Sequence, residues 1–268
     1  FTEDMSLPQS VRDYYRSAYG KSGAELKTAL QTIITTGHTV KTYNDLWTLY
    51  KTADVAPNGR VWDMYTSTNA MGLGSVFIFG TDQDTGSGGT TELDVYNREH
   101  TWPQNTFGEW ATARHDGHHV TPTDKLVNNK RSSYAYGEVS TATWTSQNGS
   151  KLGSARSGLG FTGTVFEPIT IYKGDFARMH FYMAVRYAGN SAFLTCDWSN
   201  PGADLKDWYK TMLINWHTAD PLHAKEVARN NAVHTWQGNR NPFIDYPVLV
   251  SMLFGTSSGG TSSSAASS

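Results

Sequence analysis

Cysteine is almost absent from this chain: Cys196 is the only one in 268 residues. That excludes an intrachain disulfide framework and a zinc site built from several thiolates. A single thiol of this kind is expected as a small, buried hydrophobe. No apolar run reaches the roughly 18 residues a membrane-spanning helix needs, so no membrane span is expected. Charge is scarce as well. Lys+Arg 22 against Asp+Glu 24 gives a formal net charge of −2, so no global basic field advertises a polyanionic partner. Bulk charge does not exclude a local basic groove on a nearly neutral body. The chain opens on Phe1, and no basic segment followed by an apolar stretch stands there, so export cannot be read from a leader.

Aromatic residues, by contrast, are plentiful, with Trp 9, Tyr 14 and Phe 11. That many rings with so little charge excludes a disordered chain. The exception is the C-terminal Ser/Gly/Thr/Ala tract from Gly255 to Ser268. It has the composition of a flexible tail or linker, native or appended. The expected organisation is one domain over 1–254 followed by a tail over 255–268. A helix is predicted within Pro8–Tyr19. Leu26, Leu30, Ile33 and Ile34 fall at helical spacing behind a capping-box pattern, Ser22 with Glu25, and Gly37 is the expected stop. Another helix is predicted over Tyr43–Thr52, with Asn44 as cap. Val61–Tyr65, Tyr134–Trp144 and Thr164–Tyr172 read as extended, and 146–160 as a loop. Helices are expected again at Asp175–Tyr187, Asp204–Trp216 and Pro221–Trp236. The fold class is α+β.

Chemistry concentrates in Asn97-Arg98-Glu99-His100-Thr101-Trp102-Pro103. On a regular strand Glu99 and His100 point to opposite faces, but at a strand end both can reach one site. Downstream, Thr123 or Asp124 can cap a helix that carries Asn128 in its first turns. The Glu99 carboxylate and the Asn128 amide oxygen are hard oxygen ligands of the kind Mg²⁺ prefers, an ion often held by one or two protein groups. A neutral imidazole beside it can take a proton from water. Arg98 and Arg131 can complement phosphate charge. From spacing alone, a surface ion pair between Glu99 and a protonated His100 remains an alternative.

The string Tyr96-Asn97-Arg98-Glu99-His100-Thr101-Trp102-Pro103-Gln104 resembles the signature of the bacterial endonuclease I family. Asp116-Gly117-His118-His119-Val120-Thr121-Pro122-Thr123-Asp124, leading into Val127–Ser132, is similar to its second block. Segments at 166–178 and 239–245 resemble later blocks. Gly117 and Ser133-Tyr134-Ala135-Tyr136 depart from the family's usual residues, and the first 90 residues match more loosely. The resemblance implies a ββα-metal (His-Me finger) core surrounded by helices in a secreted Mg²⁺-dependent nuclease, with Mn²⁺ or Ca²⁺ as alternatives. Such an enzyme cuts DNA, and often RNA, with little sequence preference and leaves 5′-phosphate ends. Carried across, His100 is the general base, Glu99 and Asn128 hold the metal, and Arg131 contacts phosphate. Arg98, Lys125, Lys130 and Arg131 are candidate nucleic-acid contacts. His118 is expected to brace the site, and Glu167 to support it or reach the metal through water. A monomer is expected. Two other readings compete. His115, Asp116, His118 and His119 resemble a transition-metal cluster. The aromatics with Glu99, Glu138 and Glu167 allow a carbohydrate-active enzyme or binding module, which would need paired carboxylates.

Overall fold

The computed structural model describes residues 1–255, so all but the first residue of the expected tail lies outside the described residues. In chain order the elements are α1 (Gln9–Tyr14), α2 (Gly23–Thr35), α3 (Leu46–Ala53), β1 (Tyr96–His100), α4 (Ala111–Arg114), β2 (Val120–Asp124) and α5 (Lys125–Arg131). There follow β3 (Val139–Thr145), β4 (Lys151–Ala155), β5 (Thr164–Glu167), α6 (Lys173–Arg186), β6 (Ser199–Asn200) and β7 (Asp204–Leu205). The described residues end in α7 (Asp207–Ala219), α8 (Ala224–Gln237), α9 (Pro242–Asp245) and α10 (Leu249–Phe254). Helices mixed with three small antiparallel sheets make an α+β fold. Among the described residues, no helix is long and apolar enough to cross a membrane.

Helix α6 is the axis of the larger core. Every residue from Gly174 to Arg186 is buried, so it has no solvent face. It packs against α2 and α7. Such a helix can carry charge only where each charge is paired. Arg178 accordingly meets Glu226 of α8 at 2.6 and 2.7 Å, and Asp175 meets Lys225 at 3.0 Å. Asp116 accepts from the hydroxyls of Tyr182 and Tyr187 at 2.7 and 2.8 Å and from Gln237 Nε2 at 2.8 Å. A second, smaller core joins α3 to α8 through Leu46, Leu49, Tyr50 and Val233, with Tyr96 and Val120 from the β1–β2 pair.

The helical periodicities are realised with small boundary shifts. Ser22 makes no side-chain cap, and α3 is entered through Asp45 instead of Asn44. Other expectations fail. The extended segment Thr164–Tyr172 is strand only to Glu167 and turns into a short 3-10 helix at Thr170–Tyr172. Cys196 is half-buried instead of buried. Val61–Tyr65 is not a strand; only Val61 bridges to Val55. Asp63 turns the chain instead, with its carboxylate accepting from Tyr65 N at 2.7 Å and from Asp124 N at 2.8 Å. The supposed loop at 146–160 contains β4, which pairs with β3 around a turn held by Asn148. Gly117 has a packing reason: a Cβ there would lie 2.6 Å from Leu49 Cδ2.

Candidate active site

β1 and β2 form an antiparallel ribbon in which Glu99 faces Thr121 and His100 faces Val120. At the end of β2, Asp124 caps α5 directly, its Oδ1 accepting from Val127 N at 2.9 Å. Its Oδ2 accepts from Leu93 N at 2.6 Å. The strand–strand–helix unit is therefore tied at the one residue where strand becomes helix. Asn128 and Arg131, three apart, share a face of α5 and reach back to β1. Asn128 Nδ2 donates to Asn97 Oδ1 at 2.8 Å, and Arg131 donates to Glu99 Oε1 at 2.8 Å.

These residues line a cleft of about 350 Å³, together with Tyr43, Arg98, His100, Gln104 and Glu109. Glu99 is buried, and among the described residues one oxygen takes all its side-chain hydrogen bonds: Oε1 accepts from Tyr65 (2.9 Å), Tyr136 (3.2 Å) and Arg131. Burial lifts its carboxyl above the ordinary range, against the opposing pull of Arg131 and the two tyrosines. Among the described residues no hydrogen bond engages Glu99 Oε2 or Asn128 Oδ1. Two hard oxygens without protein partners, one anionic, suit a divalent cation such as Mg²⁺.

His100 ends β1, which is why it can share a cleft with its neighbour. Its Nε2 lies 3.0 Å from the Arg114 carbonyl oxygen. A carbonyl can only accept, so Nε2 carries the proton and Nδ1 keeps its lone pair. Burial, aided by the nearby His119, holds the imidazole's pKa well below its ordinary value. Both side chains are buried and the ion-pair partner of Glu99 is Arg131, so the reading of a surface ion pair between Glu99 and His100 fails.

Several expected site residues are placed elsewhere. Arg131 is not a surface cation: it is 1% exposed, and its remaining bonds go to the carbonyls of His100 (2.8 Å) and Thr101 (2.5 Å). It braces Glu99 and the end of β1 instead of offering free donors to phosphate. Arg98 does line the cleft, held by the Tyr43 carbonyl at 2.9 Å and lying between the rings of Tyr43 and Trp47. Lys125 is paired with Asp84 at 2.9 Å, whereas Lys130 is exposed beside Trp144. His118 does not brace this site. It bonds the Asn239 carbonyl at 3.0 Å and lines a separate cavity with Asp175 and Glu226. The bracing histidine is its neighbour His119, whose ring packs edge-on to His100 and whose Nε2 donates to the Ala113 carbonyl at 2.7 Å. Glu167 is bound by Lys173 and Val139 N, away from the cleft.

The rival readings lose their geometry. His115, His118 and His119 each bond a different backbone carbonyl and do not converge on one point. Among the described residues, the side chains of Asp175, His223 and Glu226 do converge within 4.8 Å. Arg178 and Lys225 already neutralise those carboxylates. Glu138 pairs with Arg156 and Glu167 with Lys173, and neither lines the cleft that holds Glu99. Tyr65 and Tyr136 are site residues that sequence reasoning missed; Asn97 stood in the heptad without a role, and His119 was read as a member of a transition-metal cluster instead. For the tyrosines nothing in the pattern separates a buried hydroxyl on a carboxylate from ordinary core; the departure at 134–136 was the one trace.

Residues 22–248 match the family described as Endonuclease I. The chain belongs to the endonuclease I family. It is 34% identical over 240 residues to a protein of Bacillus amyloliquefaciens named extracellular ribonuclease, covering 87% of this chain and 75% of that one. A protein of the same name from Bacillus subtilis (strain 168) is 31% identical over 243 residues, with the same coverage. A protein of Buchnera aphidicola subsp. Baizongia pistaciae named Endonuclease-1 is 25% identical over 129 residues, covering 48% of this chain and 45% of that one. The family match includes β1, β2 and α5, and so all of Glu99, His100 and Asn128.

Proposed function

We propose that this chain is a secreted, metal-dependent endonuclease of the His-Me finger type that hydrolyses phosphodiester bonds in DNA and RNA without sequence preference. The observation that carries the reading is the pair at the end of β1. The Arg114 carbonyl holds His100 through Nε2, which leaves Nδ1 as the acceptor, beside a Glu99 whose second oxygen has no hydrogen-bond partner among the described residues. Nuclease activity and secretion have the support of the extracellular ribonucleases among its relatives.

His100 Nδ1 takes a proton from a water, whose oxygen attacks phosphorus. The bond from phosphorus to the 3′ oxygen breaks, that oxygen is protonated by water, and the phosphate stays on the 5′ side. Glu99 Oε2 and Asn128 Oδ1 would hold a divalent cation, Mg²⁺ by preference, and the ion would supply charge neutralisation to the phosphate and the leaving oxygen. The Arg114 carbonyl keeps the imidazole in the tautomer that accepts on Nδ1. Arg98 is the cleft cation available to a neighbouring phosphate.

Nicking of plasmid DNA and cleavage of RNA, with and without EDTA, test the reading together with end-labelling of the products. Activity is expected to need the metal and to leave 5′-phosphates. His100→Ala should lower kcat by about 10²- to 10⁴-fold with substrate binding retained. EDTA-resistant cleavage, 3′-phosphate ends or an active His100→Ala protein would each overturn it.

A further inference from the structure

Tyr43, from the segment leading into α3, lines the cleft and meets four side chains, of which Arg98 and His100 line the cleft with it. Its ring lies 3.5 Å from the guanidinium carbon of Arg98 and 4.1 Å from that of Arg114. It is also nearly parallel to two imidazoles, His100 and His115, each with centroids 5.8 Å away and planes inclined by 27°. A ring so surrounded is not free to stack on a substrate base. Its backbone is clamped independently of its side chain: the carbonyl of Lys41 bonds His115 at 2.7 Å, and the carbonyl of Tyr43 itself accepts from Arg98. Thr42 N is held by Asp45 at 2.8 Å.

Arg114 enters twice. Its carbonyl holds His100 Nε2, and its guanidinium lies against the ring of Tyr43. The carbonyl alone fixes one atom of the imidazole, and His119 meets the ring edge-on. Tyr43 supplies a second ring contact, 5.8 Å between centroids and inclined by 27°, which together with the edge-on His119 opposes rotation of the plane about the Nε2 hydrogen bond.

We propose that Tyr43 is a positioning residue that sets the plane of the His100 imidazole, so that Nδ1 addresses the attacking water. The proposal rests on the reading of His100 as the base. A stacking role needs the ring and not the hydroxyl. It also predicts that substrate affinity survives, since Arg98 keeps its bonds to the Tyr43 carbonyl and Asn44 and its contact with Trp47.

The test is steady-state cleavage at saturating metal by Tyr43→Leu, Tyr43→Met and Tyr43→Phe, beside His100→Ala. Misplacing a catalytic group by about 1 Å can cost on the order of 10²-fold. The leucine and methionine proteins are expected to lose about 10-fold or more in kcat, with KM within about twofold. Tyr43→Phe should cleave at the parent rate. Full kcat in both aliphatic variants overturns the proposal, as does an equal loss in Tyr43→Phe. So does a loss that merely follows the folded fraction measured by thermal melting. If His100→Ala itself cleaves normally, the reading of the site fails; if it is dead while Tyr43→Leu runs at full speed, only the positioning role fails.

Discussion

Replacing Arg131 with methionine separates two roles that the same residue could play in such a site, phosphate contact and internal brace. The structure makes it a brace. Arg131 and Glu99 are 1% and 2% exposed, and the guanidinium serves Glu99 Oε1 and the carbonyls of His100 and Thr101 at 2.8, 2.8 and 2.5 Å. Methionine fills the volume but leaves a buried carboxylate short of its cation and two carbonyls short of a donor. Breaking a buried pair from one side costs about 3–5 kcal/mol. For a domain of this size that lowers Tm by roughly 10 °C. With the cation gone, burial favours the protonated Glu99, which is a poorer metal ligand. Calorimetric titration with Mg²⁺ should then show affinity weaker by about 10-fold or more. KM for nucleic acid at saturating metal should change little. A variant with unchanged metal affinity and Tm but a raised KM would refute this account and restore Arg131 as a phosphate contact.

Asn128→Ala should weaken metal binding at least about 10-fold, whereas Asn128→Asp, still a hard oxygen donor, should recover part of it; equal titrations for all three proteins would place the ion elsewhere. His180 gives a pH prediction. It is fully buried against Trp102, its pKa is pushed down to about 3 by burial, and its Nε2 has no partner among the described residues. The folded state keeps it neutral while the unfolded chain protonates near pH 6.5, so its contribution is present above 6.5 and is lost as pH falls toward 3. His180→Phe should flatten the acid limb of the stability curve by about 1.4 kcal/mol per pH unit between roughly pH 6 and 4; parallel limbs in denaturant titrations would contradict it. Lys125 is paired and Arg131 buried, which leaves Arg98 and Lys130 of the four expected nucleic-acid contacts. The log-log salt slope of binding should therefore correspond to about two or three phosphates and fall by about one unit in Arg98→Ala. An unchanged slope in that variant would remove Arg98 from the interface.

Local pattern carried much of this molecule. The i, i+4, i+7 spacing of Leu26, Leu30 and Ile33 gives α2, because burial of one helical face is decided within a few turns of chain. Asp124 before Leu126–Val127 announces α5, because an N-cap is a contact three residues long. The Glu99–His100 pair with Asn128 marked the cleft for the same reason: the ribbon and the helix that join them are contiguous in sequence. What local pattern misjudged depended on distant partners. Asp63 looked like part of a strand until its carboxylate met the Asp124 backbone, and Arg131 looked like a surface cation until α5 turned it under β1. Tyr43, Tyr65 and Tyr136 come from separate parts of the chain, and their hydroxyls and rings read as ordinary core. Only the packed structure sets two of them on Glu99 and the third against His100. The residue types of the site are thus local information, whereas their ionisation, tautomer and orientation are set by burial and by neighbours brought from afar.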